Sequence, residues 1–243
     1  MTNVVIPMAG AGSRFADAGY EVPKPLIEVE GLTMVNKSIW SSAQGGRYIF
    51  IVQAEHNKKY NLSEILPTLT PSLDVVIIEV DEVTEGAAAS VLLAKEYINS
   101  DEILIICDSD ILVDYDPNAF LMDAGAGRNG LDGSIAVFRG EGNEWSYVET
   151  DGNGFATQVS EKIKTSDYAC AGIYYWGSGS DFVACAEEMI AKDIRVNGEF
   201  YVAPAYNELI SKGKRVGIYE VNSFTSLGTP ESLEAYLLSK KSK

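Results

Sequence analysis

"VVIPMAGAGSRFADAGYEVPKPLI", residues 4–27, is the stretch from which the rest of the chain can be read. An apolar run without interruption, Val4 to Met8, predicts a strand buried on both faces. It stops at a glycine turn, Gly10-Ala11-Gly12, ahead of a helical turn. Glycines there let backbone N–H groups approach an anion, and a helix start adds partial positive charge. The same turn also suits a plain strand-to-helix connection. The dinucleotide fingerprint would need glycine at position 15, where Phe15 stands, and no Gly-Lys-Ser/Thr follows to make a P-loop. What sets the segment apart is its cations, Arg14 just after the turn and Lys24 between Pro23 and Pro25.

Outward from this turn, further continuous apolar runs read as strands: "RYIFIVQ" (47–53), "DVVIIEV" (74–80) and "EILIICDSD" (102–110). Helical patterns separate them. "TMVNKSIWSSAQ" sets Val35, Ile39 and Ala43 at helical spacing, and "EGAAASVLLAKEYI" places Ala87, Val91, Ala94 and Ile98 on one stripe. Alternating buried strands and helices predict a parallel sheet flanked on both faces. The second half changes character. "GSIAVFRG", "WSYVETDGNGFATQVSEK" and "YACAGIYYW" are strand-like, the second broken at its "DGNG" turn. Helices follow at "SDFVACAEEMIAK", with Phe182, Ala186, Met189 and Ile190 on one side, and at "YVAPAYNELISKG", with Pro204 in or before its first turn. "KRVGIYEV" reads as a strand, and "TPESLEAYLLSKK" as a closing helix with Leu233, Tyr236 and Leu237 inward. The expectation is one α/β, Rossmann-like domain over 1–243, with a mixed, mainly parallel central sheet and a smaller antiparallel part. Residues about 1–115 form the nucleotide-sized half and about 116–243 the other.

Charge narrows the function. Nineteen basic against 35 acidic residues give a formal charge of −16, a field that repels nucleic acid and anionic membrane. A phosphate ligand must then be held by local positive charge. Cys107, Cys170 and Cys185 are odd in number and widely spaced, as reduced core thiols are. Neither a basic leader nor an apolar run of membrane-spanning length stands out, so the expected setting is soluble and cytoplasmic. The only histidine, His56, falls in the polar stretch "QAEHNKKY" and reads as a surface residue, which removes histidine-dependent triads and zinc-protease motifs. "ILIICDSDILVDYD" sets Asp108 and Asp110 just past a buried strand, where ligands bind in open α/β sheets. Two carboxylates so placed suit a hard divalent cation.

The glycine turn with Ser13-Arg14-Phe15, followed by Pro23-Lys24-Pro25-Leu26, resembles the signature of the sugar-1-phosphate nucleotidyltransferases. That family has a GT-A-like α/β fold and joins a nucleoside triphosphate to a sugar phosphate with release of pyrophosphate. The resemblance runs from Val4 to the "SLGTPESL" segment with the motifs in family order. It implies catalytic roles for Arg14, Lys24 and Asp110: Arg14 would fork onto the leaving phosphates and Lys24 would meet the α-phosphate. It implies Mg²⁺ on Asp110, with Asp108 as second ligand or outer partner. Ser109 stands where the family has glycine, and Ser226 replaces the second family metal aspartate. For the nucleotide it points to Ala9, Gly10, Gly12, Ser13, Gln53, Thr84 and Gly86. For the acceptor it points to Ser146, Glu161, Lys162 and Gly172, with Glu199 and Tyr201 beyond, and Ile163 replaces a usual proline.

Phosphoryl nucleophiles fit the scarcity of histidine. A phosphomonoester, with its second pKa near about 6, is already ionised at neutral pH and needs no general base. The expected partners are a nucleoside triphosphate and a sugar 1-phosphate or similar phosphomonoester, with homo-oligomerisation left open. Three alternatives stay in view: a cytidylyltransferase acting on a non-sugar phosphate such as phosphocholine, a GT-A glycosyltransferase using Asp108-Ser109-Asp110, and an inactive nucleotide-binding module.

Overall fold

A computed structural model describes residues 1–42, 46–72, 74–127 and 130–241; Ala43, expected on the first helical stripe, lies outside them. The central sheet begins with four parallel strands, β1 (Thr2–Pro7) between β4 (Arg47–Gln53) and β6 (Ile103–Cys107), and β5 (Val75–Val80) outside β4. A two-residue ribbon, β2 (Glu28–Val29) with β3 (Leu32–Thr33), stands apart from it. Continuous apolarity is explained by the two faces. Val5, Ile49, Ile51 and Ile106 enter one core, while Val4, Ile6, Phe50 and Ile105 enter the other. Helices cover both, including α2 (Met34–Ser41), α4 (Leu62–Leu69) and α7 (Pro117–Met122) on the second face. The remaining early helices are α1 (Ser13–Asp17), α3 (Ala54–Tyr60), α5 (Ala87–Leu92) and α6 (Lys95–Ile98). The helix expected over 85–98 is thus two short ones. Its hydrogen bonds tighten to a three-residue step between them, Leu93 N–H to Ser90 O and Ala94 N–H to Val91 O. The stripe survives, with Val91, Ala94 and Ile98 buried.

The second half joins the same sheet. β11 (Tyr168–Trp176) runs antiparallel to β6 and carries β8 (Gly133–Arg139) and β9 (Ser146–Thr150), which in turn pair with β12 (Val216–Glu220) and β10 (Ala156–Glu161). Sequence patterning did not resolve the short pair β7 (Ile111–Asp114) and β13 (Ser223–Ser226). β7 is pinned to α2 by serines: Ser38 Oγ donates to Ile111 O, and Ser41 Oγ to Val113 O. The strand after Asp110 is therefore fixed by helix side chains outside the apolar spacing read from the sequence. α10 (Pro230–Lys241) closes a third core with Leu233, Tyr236 and Leu237 against Phe15.

α8 (Gly179–Ala191) and α9 (Tyr206–Ser211) are locked by a buried charge, Glu208, 5% exposed, which accepts from Lys192 Nζ at 2.6 Å. Lys192 also reaches Glu188 at 2.8 Å, and together with Lys212 it holds that carboxyl down at about 2. Lys192→Met should lower the urea midpoint, because Glu208 is left buried without its partner. A urea midpoint indistinguishable from wild type would show that Glu208 finds another donor.

Candidate active site

The glycine turn leaves the end of β1 and the two aspartates leave the end of β6, so adjacent parallel strands deliver both to one edge of the sheet. There the cleft has two lobes. One, about 500 Å³, is lined by Ala9, Gly10, Thr84, Gly86 and Ser90. The other, about 680 Å³, is lined by Ser13, Arg14, Ser146, Glu161, Lys162 and Gly172. Ala11, Gly12, Lys24, Asp108, Asp110, Glu199 and Tyr201 border both.

Lys24 sits at the start of a short turn, Lys24–Leu26, whose geometry the flanking prolines set: Pro23 is extended and Pro25 occupies an early helical position. Its Nζ donates to Asp110 Oδ2 at 2.7 Å, which ties the Pro-Lys-Pro segment to the acidic end of β6 across the shared wall. Asp108, partly buried beside it, is pushed up to about 8, first by burial and then by the neighbouring Asp110 charge. Both carboxylates rest against glycines. A Cβ at Gly172 would lie 2.6 Å from Asp108 Oδ2, and one at Gly228 would lie 2.8 Å from Asp110 Oδ2. Gly172 has φ +76° at an irregularity in β11, and its carbonyl accepts from Asp108 N–H at 2.9 Å. Only glycine meets both demands at that position.

Ser226 comes to the site by β13. It pairs with Ile111, its Oγ accepts from Gly228 N–H at 3.1 Å, and Leu227 N–H donates to Asp110 O at 2.8 Å. The segment expected to carry a second metal aspartate thus reaches Asp110 through its backbone, while the Ser226 hydroxyl is engaged with Gly228 N–H. Among the described residues no cluster of three metal-ligating side chains forms here.

On the second lobe Ser146 and Glu161 are cross-strand partners on β9 and β10. Ser146 Oγ donates to Glu161 Oε2, and Lys162 Nζ lies 3.5 Å from the other oxygen, Oε1. Burial raises the Glu161 carboxyl above the usual range, while Ser146 and Lys162 oppose the rise. The Ser146 hydroxyl, expected as a substrate contact, is already directed at Glu161. Lys162 has φ +57° and its ammonium lies over the Tyr201 ring, 4.7 Å from the centroid. Arg14 is exposed and lines this same lobe, and its guanidinium makes no hydrogen bond or ion pair with a described residue.

The first lobe departs from the sequence reading in three places. Gln53 does not line it; its Nε2 instead donates to Ala9 O at 3.1 Å and Gly10 O at 3.0 Å, bracing the turn from behind. Ser13 and Arg14, the latter expected on the leaving phosphates, line only the other lobe. His56 is no outer-surface residue: α3 turns it, with Lys59 three positions on, into the lobe, and burial lowers its pKa. A polar stretch gave no sign of this, because the helix face that meets the cleft is set by where β4 ends. Opposite, Thr84 Oγ1 bonds Gly86 O at 3.2 Å and pairs with Ser90 Oγ at 2.5 Å. Gly86 presses on the Phe200 backbone, where a Cβ would come within 2.6 Å, and Phe200 N–H donates to Glu85 O at 2.7 Å.

The arrangement is a two-compartment cleft with cations in each and a carboxylate pair at the junction. Among solved structures the chain is similar to the nucleoside-diphosphate-sugar pyrophosphorylase from Vibrio cholerae RC9, with TM-score 0.80 and 27% identity over 97% of this chain and 99% of that one. It shares its fold with the inositol-1-phosphate CTP transferase from T. maritima, with TM-score 0.72 and 18% identity over 99% and 96% of the two chains. No functionally curated protein matches the chain in sequence. No helix among the described residues is long and apolar enough to cross a membrane. The sequence pattern of nucleotidyl transferases matches residues 3–232 of the 243, and the chain belongs to that enzyme family.

Proposed function

We propose that this nucleotidyltransferase joins a nucleoside triphosphate to a sugar 1-phosphate, giving a nucleoside-diphosphate sugar and pyrophosphate. The observation that carries the reading is the shared wall of the cleft, where Lys24, Asp108 and Asp110 border both lobes. A triphosphate in the first lobe and a phosphomonoester in the second would meet there. The acceptor phosphate oxygen bonds to the α-phosphorus, and the bond from that phosphorus to the leaving pyrophosphate breaks. No proton has to move in this step, so the site needs alignment and charge neutralisation.

The chain's side chains divide that work. Arg14, on the second-lobe side of the shared wall, meets the departing phosphates at the junction with a planar fork, Lys24 neutralises the α-phosphate, and Lys162 holds the acceptor phosphate with Tyr201 beneath its ammonium. Glu161, oriented by Ser146, accepts hydroxyls of the acceptor, and Glu199 and Tyr201 close the lobe. Ala9, Gly10, Gly12, Thr84 and Gly86 seat the nucleotide, with Gln53 behind the turn. Asp110 and Asp108 suit Mg²⁺ in chemistry: both offer hard oxygen donors, and a divalent cation would offset the burial and the Asp110 charge that together raise the Asp108 pKa. Bound there, Mg²⁺ would neutralise charge on the phosphates. One domain, 1–243, supplies both substrate sites.

A grid of five nucleoside triphosphates against sugar 1-phosphates and phosphocholine, read by pyrophosphate release, tests the reading. Release with one triphosphate and a sugar 1-phosphate is the expected result. Phosphocholine belongs in the grid because Trp145, Phe224 and three glutamates, Glu144, Glu161 and Glu199, line the acceptor lobe, and such a lining also suits a cation. Nucleotide binding with no release across the grid would overturn the proposal in favour of a non-catalytic module.

A further inference from the structure

Four cations line the cleft among the described residues: Arg14, Lys24, Lys162 and Lys59. The first three have been given work above, whereas Lys59 comes from a helix that the motifs do not touch. Lys24 and Lys162 have carboxylate partners, Asp110 at 2.7 Å and Glu161 at 3.5 Å. Lys59 forms no ion pair with a described residue; its ammonium lies 5.0 Å from the ring centroid of Tyr60. Glu55 and Glu21 are within electrostatic range of it without closing on it. The nearest partner of the ammonium is thus the neutral Tyr60 side chain, and in a chain of net charge −16 an ammonium held on a cavity wall without a carboxylate in salt-bridge contact is a place for an anion.

The placement of α3 says which anion. At one end it follows Gln53, which braces the carbonyls of Ala9 and Gly10. At its other end the Tyr60 hydroxyl donates to Glu21 O at 3.1 Å, in the segment between Arg14 and Lys24. The helix therefore bridges the glycine turn and the stretch joining the two signature cations. His56 and Lys59, three residues apart, share the face that lines the nucleotide lobe. A compact, hydrated ammonium serves as a point charge, the form of recognition that suits phosphate oxygens better than a nucleobase edge.

We propose that Lys59 is a further triphosphate ligand, binding the β- and γ-phosphates of the nucleotide from the α3 wall, with His56 beside it as a polar spacer. This rests on the nucleotidyl-transfer reading and adds a residue to it. The α3 lysine makes its contact in the ground state as well as during transfer, so its loss acts on affinity more than on turnover.

The test is calorimetric titration of the mono-, di- and triphosphate of the preferred nucleoside into wild type, Lys59→Met and Lys59→Arg, without acceptor. The methionine variant should bind the triphosphate about tenfold more weakly, the monophosphate unchanged, and the arginine variant should recover most of the loss. In the reverse reaction the KM for pyrophosphate should rise by a similar factor, with the acceptor KM unmoved. Equal weakening of mono- and triphosphate would assign Lys59 to the nucleoside, and unchanged titrations would leave it no role; either overturns the inference. Failure of wild type to bind any nucleoside triphosphate would instead sink the nucleotidyl-transfer reading itself.

Discussion

Asp110→Asn should lower turnover by about 10³-fold while leaving the melting transition near that of wild type. Asparagine keeps the shape of the side chain, and the backbone bond from Leu227 N–H to residue 110 does not depend on the charge. What disappears is the anion that fixes Lys24 Nζ at 2.7 Å and that stands where metal and phosphates would converge. Lys24→Ala should cost a similar factor by a related route, since the α-phosphate loses its compact positive charge. The two side chains act as one unit across the wall, so the double variant should fall well short of the product of the single losses. Steady-state rates with a nucleotide titration on each variant decide the matter. Wild-type-like turnover in either single variant removes the junction from the mechanism.

Gly172→Ala should be nearly as damaging, for a steric reason. The new Cβ would lie 2.6 Å from Asp108 Oδ2 and 3.1 Å from Asp108 Cβ, so the carboxylate must move by a large fraction of an ångström. Misplacement on that scale next to reacting groups reduces rates by about 10²-fold. Holding alanine at φ +76° adds about 1–2 kcal/mol of destabilisation. Gly213→Ala separates the two effects. Its φ is +75°, but nothing lies within 4 Å of the added Cβ, so it carries the strain without the collision. The pair should lose comparable stability in urea titrations, with turnover lost only at position 172. Equal activity in both variants would mean that Asp108 has room to yield and that its placement is not critical.

The parallel half of the sheet could be read from the chain because strands buried on both faces leave a distinctive mark. Val4 to Ile6, Tyr48 to Val52 and Leu104 to Cys107 have no polar alternation to confuse with a helix. The glycine turn and the aspartates could be located for the same reason, since they lie at the ends of those runs, whereas Lys24 was marked by its two flanking prolines. Short elements were hidden. β7 and β13 are four residues each and exist only as partners separated by more than a hundred positions, and serines from α2 hold one of them down. The inward face of α3 was hidden too, because "AEHNKKY" carries no apolar stripe to orient it and its aim comes from the end of β4. The Ser146–Glu161 bond illustrates another limit. Two strands had to be placed in register before a hydroxyl and a carboxylate fifteen residues apart became neighbours.

One contact constrains how such an enzyme can be re-engineered. The loop holding Gly86 and the segment leading into Phe200 and Tyr201 are stitched backbone to backbone: Phe200 N–H donates to Glu85 O, Ala88 N–H donates to Phe200 O, and no side chain fits between. A donor loop grafted at 82–88 would therefore drag Glu199 and Tyr201, which border both lobes, with it, unless residues 193–201 were transplanted as its matching half.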